Sequence, residues 1–148
     1  MGWVLIGWSR IEITLDAICG TAFHHCGGKQ HFRKLPYSLT DKVEQFRTYH
    51  NELPQLSHRR AAAIALVDRV DALKGRRDDI VHGAAMELSA DGAIRFMRLR
   101  TMGTYHDLTR PEITMEQVKE FAQNTANLSG DLMTYAKSFE TEYWPNTV

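Results

Sequence analysis

The stretch SHRRAAAIALVDRVDALKGRRDDIVHG, residues 57–83, has the clearest helical pattern of this chain and decides its fold class. A stripe typical of one buried helix face recurs there at steps of three and four, apolar except for Arg77: Ala63, Leu66, Val70, Leu73, Arg77 and Ile80. Ser57 is a good N-cap, and Gly83 is a good residue to end a helix. We therefore predict a helix from Ser57 towards Gly83, with Gly75 as a point where it could kink.

Two further helices are predicted on the N-terminal side of this stretch. The first runs from Trp3 to about Cys26 and ends at Gly27-Gly28. Its apolar stripe repeats at steps of three and four: Val4, Trp8, Ile11, Leu15, Ile18 and Ala22. The second has Thr40 as its predicted N-cap and ends before Pro54, because the residue before a proline avoids the helical region. Its apolar face consists of Val43, Phe46 and Leu53, with Tyr49 or His50 between them.

The pattern changes after Gly83. Asp91-Gly92 is a hairpin turn signal and predicts a two-stranded ribbon from residues 84–88 and 93–100. A loop through Met102-Gly103 and Pro111 is expected to lead to the last helix, which Thr114 and Gln117 would begin as a capping box. Its stripe keeps the same helical rhythm over many turns: Val118, Phe121, Thr125, Leu128, Leu132, Tyr135 and Phe139.

These elements predict a mostly α-helical protein. Amphipathic helices with short connections must bury their apolar faces on each other, so we expect an antiparallel four-helix-type bundle. The β-hairpin would be an insertion before the last helix, and residues 1–148 would form a single domain. The long regular stripes also make a homodimer that shares helix faces plausible.

Composition excludes some classes of function. Eighteen basic residues balance eighteen acidic ones, so the chain lacks the overall positive charge of a protein that binds nucleic acid or membranes non-specifically. Arg10, Glu12 and Asp16 interrupt the apolar N-terminus before it could span a bilayer, so no membrane association is expected. Cys19 and Cys26 would lie about 10 Å apart on one helix, beyond disulfide reach. The sequence therefore predicts a cytoplasmic protein with two reduced thiols.

The candidate chemistry lies at the end of the third helix. Arg77 continues the apolar stripe, where an unpaired charge would be costly, and His82 lies in the last turn. Five helical residues turn the chain by about 500°, so the two side chains are expected to point about 140° apart and not to meet easily within one helix. Asp78 precedes His82 by four positions, shares its helix face and could orient its imidazole.

A purely structural explanation of these residues stays open. A histidine in the last turn of a helix is favoured by the helix dipole without any catalytic role. Arg77 could simply form an ion pair with Glu12 or Asp16 of the first helix. The direction of the two side chains distinguishes the cases: a shared solvent cleft favours catalysis, whereas an Arg77 closed off by a carboxylate favours packing.

The segment Arg77-Asp78-x-x-x-His82-Gly83, at the end of the third helix of a small bundle, resembles the signature of the HEPN superfamily. The first helix, with Trp8, Ile11, Glu12 and Leu15, is also similar to members in which such a helix precedes the motif. The resemblance implies a dimeric helical bundle and, in many members, a metal-independent endoribonuclease of toxin–antitoxin or phage-defence systems.

The resemblance also implies a role for each residue of the motif. His82 would deprotonate a ribose 2′-hydroxyl, Arg77 would stabilise the charge on the phosphorane, and Asp78 would orient His82. The implied partners are RNA, a second copy of the chain and a cognate antitoxin protein, and no cofactor is implied. Two motifs would meet at the dimer interface, where Arg77 of one chain could serve the site of the other. Since other HEPN-like domains lack catalysis, a non-catalytic oligomeric binding or assembly module is the alternative.

Three other groups of residues invite functional interpretations. Five arginines could line a local RNA groove, although a basic hairpin strand is also a common solvated edge: Arg59, Arg60, Arg95, Arg98 and Arg100. A metal site could be assembled on paper from Cys19, His24, His25, Cys26 and His31, but the spacing matches no common zinc pattern and no metal is predicted. Aromatic residues near both ends are either partner surfaces or core packing: Trp3, Trp8, Tyr143 and Trp144, with Pro145.

Overall fold

The computed structural model describes residues 2–144, most of which lie in helices, so the predicted mostly helical class is confirmed. The helices are α1 (Gly2–His25), α2 (Leu39–Glu52), α3 (Arg60–His82) and α4 (Met115–Tyr143). Short 3-10 helices precede α2 and α3, over Gly28–Gln30 and Pro54–Arg59. None of the helices within residues 2–144 combines the length and the apolar character that a membrane span requires.

The helix ends show which local signals were interpreted correctly. Thr114 caps α4 in a capping box with Gln117, as predicted. The predicted cap of α2 is wrong, because Ser38 and not Thr40 accepts the hydrogen bond from the backbone of Asp41, at 3.1 Å. The predicted start of α3 at Ser57 is also early, because residues 54–59 form the tighter 3-10 turns that commonly precede an α-helix.

The core forms where α1 packs against α2 and α4, and α3 packs against α2 and α4. The predicted stripe of α1 is buried throughout, and in α3 Ala63, Leu66, Val70 and Ile80 are buried while Leu73 is half-buried. Trp8 is a core residue, whereas Trp3 and Trp144 are exposed, and Pro145 lies outside the described residues. Burial of these stripes is the main source of stability for a chain of this kind.

A small antiparallel sheet follows α3 and precedes α4 in the sequence. It consists of β1 (Ala84–Leu88), β2 (Ile94–Met102), β3 (Tyr105–Thr109) and β4 (Glu112–Ile113), and β2 pairs with each of the other three. The predicted hairpin of β1 and β2 is confirmed, with Gly92 at φ 82° in its turn. The predicted loop after Met102 is wrong: Gly103, at φ 62°, allows a tight turn into β3, so that Met102 lies opposite Tyr105.

The sheet is anchored to the end of α3. Gly83 continues directly from the helix with extended backbone angles, φ −83° and ψ 139°. A side chain at this position would collide with the carbonyl oxygen of Asp79 and lie 3.1 Å from Cβ of Phe96, which is buried on β2. The close approach of Gly83 and Phe96 therefore holds the inner face of β2 beside the last turn of α3.

Candidate active site at the end of the third helix

Arg77 and His82 meet within one chain. Nη1 of Arg77 lies 2.8 Å from Nε2 of His82, so the expectation that they could not easily meet within one helix is wrong. The long arginine side chain spans the angle between the two positions. Because a guanidinium only donates hydrogen bonds, Nε2 is the acceptor, and the imidazole in this arrangement is neutral with its proton on Nδ1. His82 is exposed, so this face of the pair is open to solvent.

Arg77 is also held by two carboxylates. Nη2 donates to Oε1 of Glu12 at 3.1 Å, and Nη1 donates to Oδ1 of Asp78 at 3.0 Å. Its guanidinium carbon lies 5.9 Å from the centre of the Trp8 ring, and the side chain is only 18% exposed. The alternative in which Arg77 pairs with the first helix is thus confirmed for Glu12. Asp16 instead accepts from Lys42, at 2.8 Å.

Asp78 does not bond to His82. Its second oxygen, Oδ2, accepts a hydrogen bond from Nη2 of Arg98 at 3.2 Å, while Nη1 of Arg98 donates to Asp79 at 2.8 Å. Arg98 is a buried residue of β2 that sequence reasoning named only for an RNA groove. The available signal was its position two residues after Phe96, because alternate residues of a strand face the same side of the sheet.

The site is part of a continuous network of charges that joins α1, α2, α3 and β2. Its three cations are Lys42, Arg77 and Arg98. Its four carboxylates are Glu12, Asp16, Asp78 and Asp79. With His82 neutral, one negative charge is in excess. A phosphate that approaches Arg77 would therefore meet an excess of negative charge. Nε of Arg77 is buried and has no hydrogen-bond partner among the described residues.

The predicted basic groove is largely neutralised. Arg95 pairs with Glu87 and Glu112, and Arg59 pairs with Glu142. Arg60 donates to the backbone oxygens of His50 and Asn51. Within residues 2–144, Arg100 is the one member of the predicted groove without an ion pair or side-chain hydrogen bond. These arginines therefore serve mainly to join elements of the fold.

The two cysteines are free thiols, as predicted. Burial raises the pKa of Cys19 well above its ordinary range and that of Cys26 to about 11, so both are protonated at neutral pH. His24 and His25 are exposed at the end of α1. Among residues 2–144 no group of three or more histidine, cysteine or acidic side chains is placed to hold a metal ion.

His50 is a second histidine with a defined environment, and the sequence marked it only as an alternative to Tyr49 on the apolar face of α2. Both residues are fully buried. Nδ1 of His50 donates to the backbone oxygen of Phe46 at 2.8 Å, and Nε2 accepts from the hydroxyl of Tyr135 at 2.6 Å. Burial lowers the pKa of His50 to about 4, and the charge of Arg59 adds to this. His50 is therefore a neutral core residue.

Comparison with known proteins gives no relative whose residues could be compared with those of this site. The chain matches no protein-family model, no curated protein and no solved structure.

Proposed function

We propose that this protein is a HEPN-like endoribonuclease: an antiparallel four-helix-type bundle that uses Arg77, Asp78 and His82 to cleave RNA without a metal ion. The observation that carries the proposal is the 2.8 Å contact between Nη1 of Arg77 and Nε2 of His82 at an exposed helix end. It places a group suited to bind phosphate beside a group suited to accept a proton.

The reaction uses these two side chains in sequence. A phosphate oxygen takes the place of Nε2 on Arg77, which frees the lone pair of His82 to accept the proton of a ribose 2′-hydroxyl. The 2′-oxygen then forms a bond to phosphorus as the bond from phosphorus to the 5′-oxygen breaks, while Arg77 stabilises the phosphorane charge. The proton on His82 passes to the leaving 5′-oxygen. The products are a 2′,3′-cyclic phosphate and a 5′-hydroxyl.

The role of Asp78 in this proposal follows its contacts. It accepts a hydrogen bond from the guanidinium of Arg77 at 3.0 Å and makes none with His82. Asp78 therefore orients the phosphate-binding group instead of the base. The network also keeps Arg77 fixed before substrate arrives, which lowers the entropic cost of reaching the transition state.

The proposed setting is cytoplasmic RNA cleavage by a homodimer of toxin or defence type, restrained by a cognate antitoxin protein. Exposed apolar side chains on α1 support a second copy as partner, because Trp3 is 82% exposed and Ile13 is 68% exposed. Since Arg77 and His82 meet within one chain, the dimer is not required to bring them together.

The test compares purified wild-type protein with its His82→Ala variant on single-stranded and structured RNA in the presence of EDTA. We expect the wild type to produce fragments that end in a 2′,3′-cyclic phosphate and the variant to produce none. A His106→Ala variant is the matched control, because His106 is an exposed histidine on β3. Equal cleavage by the wild type and His82→Ala would contradict the proposal.

One observation favours a second candidate, a non-catalytic oligomeric binding or assembly module. Arg77 is closed off by Glu12 and Asp78, and the excess carboxylate of the network repels phosphate. In this case Glu12→Gln lowers the stability of the protein, and no RNA is cleaved by the wild type or any variant. Light scattering after size-exclusion chromatography would still detect an oligomer, whose disruption by Ile13→Glu would identify the surface.

A further inference from the structure

We propose that Arg98 is a positioning residue for the Arg77–His82 pair and acts on it through Asp78. The effect on the geometry of the pair is independent of any activity, whereas the expected effect on RNA cleavage rests on the proposed function. Arg98 lies on β2, outside the helical segment that carries Arg77 and His82. The inference therefore adds a residue from a different element to the site.

The contacts form a continuous series. Nη2 of Arg98 donates to Oδ2 of Asp78 at 3.2 Å, and Oδ1 of Asp78 accepts from Nη1 of Arg77 at 3.0 Å. The same Nη1 atom of Arg77 contacts Nε2 of His82 at 2.8 Å. Each carboxylate oxygen of Asp78 is thus engaged by a different arginine, and the orientation of one guanidinium depends on the other.

The placement of Asp78 needs an explanation, because residues four apart on a helix share a face and Asp78 could bond to His82. Arg98 supplies it. Its side chain is only 10% exposed, and its second nitrogen is fixed by Asp79 at 2.8 Å. A buried, forked guanidinium held at two points is a strong and directional donor. It turns Oδ2 of Asp78 towards the sheet and leaves Oδ1 for Arg77.

A defined state of His82 follows from this arrangement. With Arg77 held against Nε2, the proton of the neutral imidazole is on Nδ1. Without Arg98, the carboxylate of Asp78 is free to turn and accept a hydrogen bond from a ring N–H of His82, and Arg77 loses its fixed orientation. The imidazole then exchanges between its two tautomers.

The informative variant is the double substitution Arg98→Met with Asp79→Asn. Replacing Arg98 alone would leave two neighbouring, partly buried carboxylates with too few partners, and the chain could fail to fold. The double variant removes one charge of each sign and leaves Arg77 as the cation beside Asp78. Asp79→Asn alone keeps Arg98 beside Asp78, so it separates the loss of the Asp79 charge from the loss of Arg98. The control is Arg95→Met, which replaces an arginine of the same strand whose side chain is 43% exposed.

The readout is the tautomer of His82, measured from the 15N chemical shifts of its ring at about pH 8, where an ordinary histidine is neutral. We expect the wild type and Arg95→Met to show one protonated Nδ1 and one unprotonated Nε2, and Asp79→Asn to stay closer to the wild type than the double variant does. The double variant should show averaged nitrogen shifts with retained helical circular dichroism. A folded double variant with wild-type His82 shifts would overturn the proposal.

Cleavage assays on the same proteins separate this inference from the proposed function. If the wild type cleaves RNA, the double variant should lose about tenfold to a hundredfold in rate while Arg95→Met keeps the wild-type rate. Unchanged cleavage by the double variant would also contradict a positioning role. If no protein cleaves RNA, the proposed function fails, and the nitrogen shifts still decide whether Arg98 positions the pair.

Discussion

Arg77 donates from Nη1 to Nε2 of His82 across 2.8 Å, although the two residues are five positions apart on one helix. Their side chains leave the helix in directions that differ by about 140°. Arginine is long enough to turn back over the helix end and reach His82. The contact makes the position of the imidazole depend on the guanidinium. The positions of both side chains therefore also depend on Glu12 and Asp78, which accept hydrogen bonds from Arg77.

Replacement of Arg77 by lysine tests this dependence. A lysine ammonium is a single point of charge on a flexible stem, so it cannot keep the separate contacts to Glu12, Asp78 and His82. If the protein cleaves RNA as proposed, Arg77→Lys should lower the cleavage rate about a hundredfold. The free energy of unfolding, measured with urea, should fall by about 1–2 kcal/mol.

The neighbouring residue provides a matched control. Arg76 lies in the same turn and has no ion pair with any described residue. Arg76→Lys should leave cleavage unchanged and alter the free energy of unfolding by less than about 0.5 kcal/mol. Similar losses in both variants would mean that the effect of Arg77→Lys is not specific to the site.

Two glycines of the same helical region should respond to alanine in opposite directions. Gly83→Ala places a methyl group against the Asp79 carbonyl and Phe96, which should lower the free energy of unfolding by about 1–3 kcal/mol. Gly75 has open space around it in mid-helix, so Gly75→Ala should raise the free energy of unfolding by about 0.5–1 kcal/mol. Urea unfolding measures the free energy of unfolding of both variants. A Gly83→Ala variant as stable as the wild type would contradict the close anchoring of the sheet.

His50 should make the protein less stable in mild acid. Burial lowers its pKa from the ordinary 6.5 to about 4. Between these two values the histidine binds a proton in the unfolded chain but not in the folded chain. The stability contributed by neutral His50 is thus complete above pH 6.5 and is lost as the pH falls towards 4. Urea unfolding should show a loss of about 2 kcal/mol between pH 7.5 and pH 5.

Two histidine variants separate this effect from other titrations. His50→Gln should be less stable at neutral pH, because it disturbs the hydrogen bonds to Phe46 and Tyr135, but its stability should depend less on pH in this window. His106→Gln replaces an exposed histidine and should keep the wild-type pH dependence. An equally steep dependence in His50→Gln would assign the effect to other groups.

Neither cysteine should react in the folded protein. Burial removes Cys19 from solvent and raises the pKa of Cys26 to about 11, which lowers the thiolate fraction of Cys26 about a hundredfold relative to an ordinary thiol. With an aromatic disulfide reagent at about pH 8, we expect no fast reaction in buffer and two reacting thiols in urea. Fast labelling of Cys26 without urea would show that this end of α1 opens.

Elements specified by nearby residues were predictable, and elements specified by distant ones were not. The stripes of α1 and α3, the Thr114 cap and the Asp91-Gly92 turn depend on residues a few positions apart, and the structure contains all of them. The strand β3 was missed because its residues are mostly exposed, so no alternation of buried and polar positions marks it in the sequence. Its existence depends on pairing with β2.

The site divides in the same way. The sequence by itself determined that Arg77, Asp78 and His82 lie together at a helix end, because a local periodicity places them there. Only the tertiary structure decided their partners: Glu12 lies 65 positions from Arg77, and Arg98 lies 20 positions from Asp78. The physical reason is that helix periodicity sets the direction in which each side chain leaves the helix. The partner of a charged side chain, in contrast, is set by which elements pack against it.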